Sequence, residues 1–98
     1  MVKKKTIERR TGKSFRLMCQ ALLWASKGKR VFYWTACRTR ALFYLDMALG
    51  MARSYTKQSS TRDPSITFEN GGEILFISIE RREDFLRGLR DYKEVYDD

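Results

Sequence analysis

Arg30-Val31-Phe32-Tyr33-Trp34-Thr35-Ala36-Cys37 is the stretch on which the fold turns. It is rich in β-branched and aromatic residues and shows no alternation of apolar with polar. A short continuous run of this kind predicts a strand buried on both faces, as in a parallel sheet. Such a strand needs covering elements, and the flanking sequence supplies helices. Upstream, Phe15, Met18, Leu22 and Ala25 recur at spacings of three and four, with Leu17, Ala21 and Trp24 widening the stripe, so Ser14 to Ser26 predicts a helix with one broad buried face. Lys27-Gly28-Lys29 ends it, because glycine accepts the left-handed conformation after a last turn and lysines suit the negative end of the dipole. Downstream, Arg38 to Arg53 restores helical spacing through Leu42, Leu45, Leu49 and Ala52, with Gly50 weakening the last turn.

Further from the centre, Ser54 to Pro64 is polar and aperiodic and closes on Asp-Pro, which predicts a loop. Ser65 to Glu69 alternates, Asn70-Gly71-Gly72 supplies turn residues and Glu73 to Ser78 is apolar, which predicts a β-hairpin. Arg81 to Arg90 is charged and anchored only by Phe85 and Leu86, a short helix interrupted by Gly88. Tyr92 to Asp98 is a last short strand ending in two acids. Strands alternating with helices argue for an α/β layer structure with parallel strands, two main helices and a β-hairpin, in one domain spanning residues 1–98.

Composition excludes several classes of function. The 98 residues contain no His, which removes imidazole catalysis and His-containing metal sites. Cys19 and Cys37 stand 18 positions apart among apolar neighbours, too few for a Cys-rich zinc site, and read as small core residues of a reducing, cytoplasmic compartment. No apolar run approaches the roughly 18 residues of a membrane span, and the basic start is not followed by the apolar block of a secretory signal, so no membrane is expected as partner. The net charge of +8 is unevenly spread: residues 1–49 carry +10 and residues 50–98 carry −2. A basic half followed by a faintly acidic one suggests a polyanion, either nucleic acid or a nucleotide phosphate.

The residues that would meet it are Glu8-Arg9-Arg10-Thr11-Gly12-Lys13-Ser14. A Gly-Lys-Ser that opens a helix lets the backbone approach an anion, aims free amides at it, brings a lysine to the outer phosphates and offers a hydroxyl to magnesium. Ile7 stands where the full pattern has its first glycine. A strand ahead of this loop would be Lys3 to Arg10, with only Val2 and Ile7 apolar along it. A metal held there also calls for an acid at the end of a later strand, and Val95-Tyr96-Asp97-Asp98 has that form.

Taken in order, these segments resemble the ATPase domain of the large terminase subunit, the DNA-packaging motor of tailed bacteriophages and herpesviruses. Arg9 to Ser14 looks like that family's deviant phosphate loop, Gly28 to Ala36 like its second strand, Ile66 to Ser78 like its Asn-Gly hairpin, and Leu86 to Asp91 like the Arg-Gly segment before its acidic motif. Asp97-Asp98 falls where the family carries Asp-Glu. The resemblance implies a partial P-loop NTPase-like fold, truncated after the acidic motif, that binds ATP and Mg2+ and works on double-stranded DNA. It implies a phosphate site of Thr11, Gly12, Lys13 and Ser14, magnesium on Ser14 and Asp97, Asp98 in place of the catalytic Glu, and Arg9 or Arg10 as a finger stabilising transferred charge. Asp98 is one methylene shorter than Glu. A sheet lacking the strands that follow in a complete terminase would leave an edge for a protein partner or for self-association.

Two other readings stay open. One is a small non-catalytic interaction protein, an inhibitor or decoy derived from such a domain. The other is a basic nucleic-acid binder using Lys3 to Lys5, Arg9, Arg10, Arg38 and Arg40, with Tyr33, Trp34 or Tyr55 stacking on bases.

Overall fold

The computed structural model describes residues 2–97, and for residues 2–11 and 55 it describes the backbone alone. The elements run α1 (Val2–Ser26), β1 (Arg30–Thr35), α2 (Arg38–Ala52), β2 (Thr56–Ser60), β3 (Ser65–Phe68), β4 (Glu73–Ser78), α3 (Arg82–Leu86) and β5 (Tyr92–Asp97), with single 3-10 turns at Arg53–Tyr55 and Ile79–Arg81. The protein is α/β. Its five strands form one mixed sheet in the order β2-β3-β4-β1-β5. β1 lies inside, parallel to β4 on one side and to β5 on the other, whereas β2, β3 and β4 pair antiparallel.

The expectation for β1 holds. Val31 to Thr35 are buried without interruption, because successive side chains point to opposite faces and both faces are covered. On one face Val31 and Tyr33 join Ile74, Phe76, Val95, Ile66 and Phe68 under α1 and α2. On the other, Phe32, Trp34 and Ile77 pack beneath Ile79, Phe85, Leu86 and Leu89, with Phe32 and Trp34 stacked at 5.3 Å between ring centroids.

Four local expectations need correction. The first helix begins at Val2, not at Ser14, so the stretch from Lys3 to Arg10 is helix rather than strand or loop. The predicted stripes hold in part: α1 buries Met18, Ala21 and Ala25 as expected but leaves Phe15 54% exposed, and α2 buries Leu45 and Ala52 as expected, adds Ala41, Tyr44 and Ala48, and leaves Leu42 exposed. Alanines dominate the contact, with Leu45 among them. Residues 56–60, read as loop, form edge strand β2 with a register shift between Thr56 and Gln58; a solvated edge strand needs no apolar alternation. Cys19 and Cys37 are both exposed rather than in the core.

The Asn70-Gly71-Gly72 turn is tied to the end of α1. The Asn70 amide donates to the Ser26 carbonyl, one of the last-turn carbonyls that lack an intrahelical partner, and its own oxygen accepts from the Gly72 amide at 3.0 Å. Gly28, at φ 84°, turns the chain from α1 into β1 and donates to the Ala25 carbonyl at 2.9 Å. The thinner face is closed by Glu94, which accepts from Trp34 Nε1 (3.0 Å), Arg82 Nε (2.8 Å) and the Tyr96 hydroxyl (3.0 Å). Burial alone would raise the Glu94 carboxyl, but the bonds from Arg82, Tyr96 and Trp34 together hold it below the usual carboxylate range.

Two measurements check this account. A Cβ at Gly72 would run into the Ala25 carbonyl, whereas one at Gly50 meets nothing within 4 Å. Gly72→Ala should therefore cost about 2 kcal/mol or more by urea denaturation, and Gly50→Ala should add about 0.5–1 kcal/mol. The depressed Glu94 carboxyl contributes stability that is complete above its ordinary range and lost as pH falls through its lower folded value. Glu94→Gln should flatten the acid limb of the stability curve and cost about 1–2 kcal/mol at neutral pH; an unchanged limb would contradict the assignment.

Candidate functional site at the carboxyl edge of the parallel strands

In an open α/β sheet the carboxyl ends of parallel strands are where ligands are held. Here the register aligns three polar residues across that edge, because Thr35 of β1 is level with Ser78 of β4 and with Asp97 of β5. Thr35 is fully buried and donates to the Cys37 carbonyl at 3.0 Å, which fixes the exit from β1 into α2. Asp97, 8% exposed, accepts a hydrogen bond from the Tyr33 hydroxyl at 2.9 Å. Tyr33 precedes Thr35 by two residues, so both face the helices. Burial first, then the bond to Asp97 and its charge, push the Tyr33 hydroxyl far above its ordinary value, so it stays protonated and remains a donor.

The chain of contacts continues outward. The Tyr33 ring lies 5.3 Å from that of Tyr44 on α2, and the Tyr44 hydroxyl is 3.5 Å from Ser14 Oγ on α1. Ser14 and Asp97, assigned from sequence to one magnesium ion, thus lie at the same end of the sheet with two tyrosine rings between them. Among the described residues no three His, Cys, Asp or Glu side chains cluster as a metal cage. The Ser14 hydroxyl and the Asp97 carboxylate are oxygen donors of the kind magnesium takes, but no contact joins them directly, and Tyr44 and Tyr33 stand between them.

Gly12, Lys13 and Ser14 sit within α1 and do not open it, which corrects the expected loop. Their amides belong to the helical ladder rather than pointing free at an anion. The Lys13 side chain is exposed. Arg9, Arg10 and Thr11 are on the same helix, with side chains outside the described set, and Asp98 lies outside the described residues. Tyr33 and Trp34, offered as stacking platforms for bases, are fully buried, and Arg38 is engaged with the carbonyls of Thr61 and Arg62. Tyr33 was offered from sequence only as a stacking platform and Tyr44 was not singled out; their partnership depends on strand register and helix placement.

No family model, curated protein or solved structure matches the chain. Among the described residues no helix is long and apolar enough to cross a membrane.

The Tyr33 bond is open to test. Tyr33→Phe keeps the ring and strands the buried Asp97 carboxylate without its donor, so it should cost about 1–3 kcal/mol in urea. The double variant with Asp97→Asn should cost less than the sum of the two single changes, since residues sharing one hydrogen bond do not act independently. Additive losses would show that the pair is not coupled.

Proposed function

We propose that this chain is the nucleotide-binding part of an ATPase of the viral DNA-packaging type, taking ATP with magnesium between the Gly12-Lys13-Ser14 turn of α1 and Asp97 of β5. The observation that carries this reading is the chain of contacts from Ser14 through Tyr44 and Tyr33 to Asp97. Ser14 and Asp97, 83 positions apart in sequence, are linked through Tyr44 and Tyr33, which supports the reading. The sequence resemblance to terminase ATPase domains supports the same assignment.

In this reading Lys13 would neutralise the outer phosphates, and Ser14 and Asp97 would be the candidate oxygen ligands for the ion, which could take both only if Tyr44 and Tyr33 moved from between them. Tyr33, fixed as a donor, holds the Asp97 carboxylate in place. Magnesium, when bound, offsets charge that develops on the phosphate oxygens. Arg9 or Arg10 stabilises the transferred group and Asp98 orients the attacking water.

Amide contacts to phosphate require α1 to begin at Ser14. The burial that anchors α1 comes from Met18, Ala21 and Ala25, with Leu17 and Leu22 beside them. The twelve helical residues before Ser14, containing Gly12 and the β-branched Val2, Thr6, Ile7 and Thr11, are marginal by local propensity. Nucleotide binding therefore exchanges these turns for a phosphate-binding backbone.

A titration with a fluorescent ATP analogue and magnesium tests the reading. Saturable binding should be weakened about 10-fold or more in Lys13→Ala, as for loss of a charge-assisted contact, and the helical signal at 222 nm should fall as nucleotide binds. Gly12→Ala, at a position where an added Cβ meets nothing within 4 Å, should stabilise the free helix by about 0.5–1 kcal/mol and weaken nucleotide binding at least correspondingly. Absence of saturable binding below about 1 mM nucleotide, an affinity worth only about 4 kcal/mol, would overturn the assignment.

A further inference from the structure

Four of the six large apolar side chains left exposed among the described residues, Phe15, Leu23, Phe43 and Met51, belong to one feature, the valley between α1 and α2 on the outer side of the helical layer. We propose that this valley binds an acid-rich amphipathic helix of a partner protein. The proposal is independent of the nucleotide reading.

The two helices run side by side in the same direction: Ser14 meets Tyr44 at one end of the valley, and Cys19, Leu22 and Leu23 line a cavity with Met51 and Ala52 at the other. On α1, Phe15, Cys19 and Leu23 follow one another at spacings of four and form a stripe beside the buried face; on α2, Phe43, Met47 and Met51 do the same. All but the half-buried Met47 are exposed. Single exposed apolar side chains are ordinary, whereas a stripe on each wall of one recess has the form of a recognition surface. From Phe15 to Ser26 the valley spans eleven residues of α1, about 16 Å or three turns. Its walls are helices whose backbone groups are bonded internally, so it offers no ladder to an extended strand, while the ridges of a third helix fit a groove between two others. The cavity at the Met51 end, of about 510 Å3, takes the anchor residue of that helix, and the methionine wall adapts to its shape. A recess of this volume is not filled by the flat surface of a bilayer.

Charge sets the chemistry of the occupant's flanks. The described side chains of α1 and α2 include four cations, Lys13, Arg16, Arg38 and Arg40, and one acid, Asp46. Arg38 is already held by the Thr61 and Arg62 carbonyls. Arg16 lies three residues before Cys19 and Arg40 three before Phe43, which puts both beside the stripes. Arg16 donates to the Gly12 carbonyl one turn back on its own helix, and neither arginine is in an ion pair among the described residues. Glu69 is the one charged residue lining the cavity, at the far end of the valley from both. A second copy of this chain would set the cations of this face against their own kind, which opposes association, whereas a helix with acids on its flanks is attracted.

Two synthetic helical peptides of equal length, added to the full chain, provide the test: both carry leucines along one face, flanked by glutamates in one peptide and by lysines in the other. Cys19, exposed in the valley wall, is the reporter, and Cys37, exposed at the start of α2, is the internal control. The glutamate peptide should slow modification of Cys19 by an aromatic disulfide saturably, leave Cys37 unchanged and lose affinity as salt rises, and the lysine peptide should bind severalfold more weakly. Phe43→Ser, at an exposed position, should weaken binding of the glutamate peptide severalfold without lowering the unfolding midpoint. Arg16→Gln combined with Arg40→Gln should weaken the glutamate peptide and not the lysine peptide. Equal affinity for the two peptides, protection by neither, or unchanged affinity in Phe43→Ser would each overturn the proposal. So would protection of Cys19 that grows with protein concentration in the absence of peptide, the mark of a second copy, or protection by phosphatidylserine vesicles and not by peptide, the mark of a membrane surface.

Discussion

Burial of β1 on both faces is the constraint from which the rest of the structure follows. Phe32, Tyr33 and Trp34 are at most 2% exposed, and removing side chains of this size from water contributes about 1.5–3 kcal/mol each. The exposed ion pairs among the described residues, Arg30–Glu73 and Arg82–Glu94, do not compete with that, since such pairs contribute about 0–1 kcal/mol. A strand with large side chains on both faces must be internal and must have a layer above and below. The chain meets the first demand by pairing β1 in parallel with β4 and β5. It meets the second with two long helices on one face and the short 79–89 segment on the other.

The two coverings differ in kind. On the helix side, Ala21, Ala25, Ala41, Ala48 and Ala52 form the contact, so α1 and α2 approach the sheet closely and large aromatics from the strands fill the space between them. On the other side a single five-residue helix is too short to cover Trp34 by apolar contact alone. There the indole N–H and Arg82 converge on Glu94, and a polar clasp completes what the apolar cover leaves open. A buried indole needs a partner for its N–H in any case; using β5 for that partner also fastens the edge strand that carries Asp97.

The elements legible in the sequence were those whose local pattern and global role agree. β1 announced itself as a continuous apolar run, the hairpin as two strands around Asn70-Gly71-Gly72, and the end of α1 as Gly28. The elements that were not legible are governed by partners distant in sequence. β2 has no apolar signature because its stability comes from pairing with β3. The helix faces were read only in part, with Phe15 and Leu42 wrongly included and Ala41 and Ala48 missed, because leucine spacing is visible in a sequence, whereas the advantage of alanine at a close contact depends on what lies opposite. The candidate site was half legible: Lys13, Ser14 and Asp97 were named by motif, but Tyr33 and Tyr44, which link Ser14 to Asp97, acquire meaning only through the register that sets Thr35 level with Asp97.

The extension of α1 through Gly12 to Val2 shows how the same residues serve two local rules. Gly-Lys-Ser at a helix start exposes amides to an anion, while the same residues inside a helix bond those amides to the preceding turn. Which rule wins is set by a small difference, because helix beyond the packed segment gains about one bond per residue fixed and loses backbone freedom for each. Glycine at position 12 shifts the balance toward ending the helix by up to about 1 kcal/mol. A ligand that binds only the shorter helix draws the population toward it by its differential affinity for the two forms. The half of α1 from Ser14 to Ala25 is held by burial of Met18, Ala21 and Ala25, which depends on the sheet and not on where the helix starts.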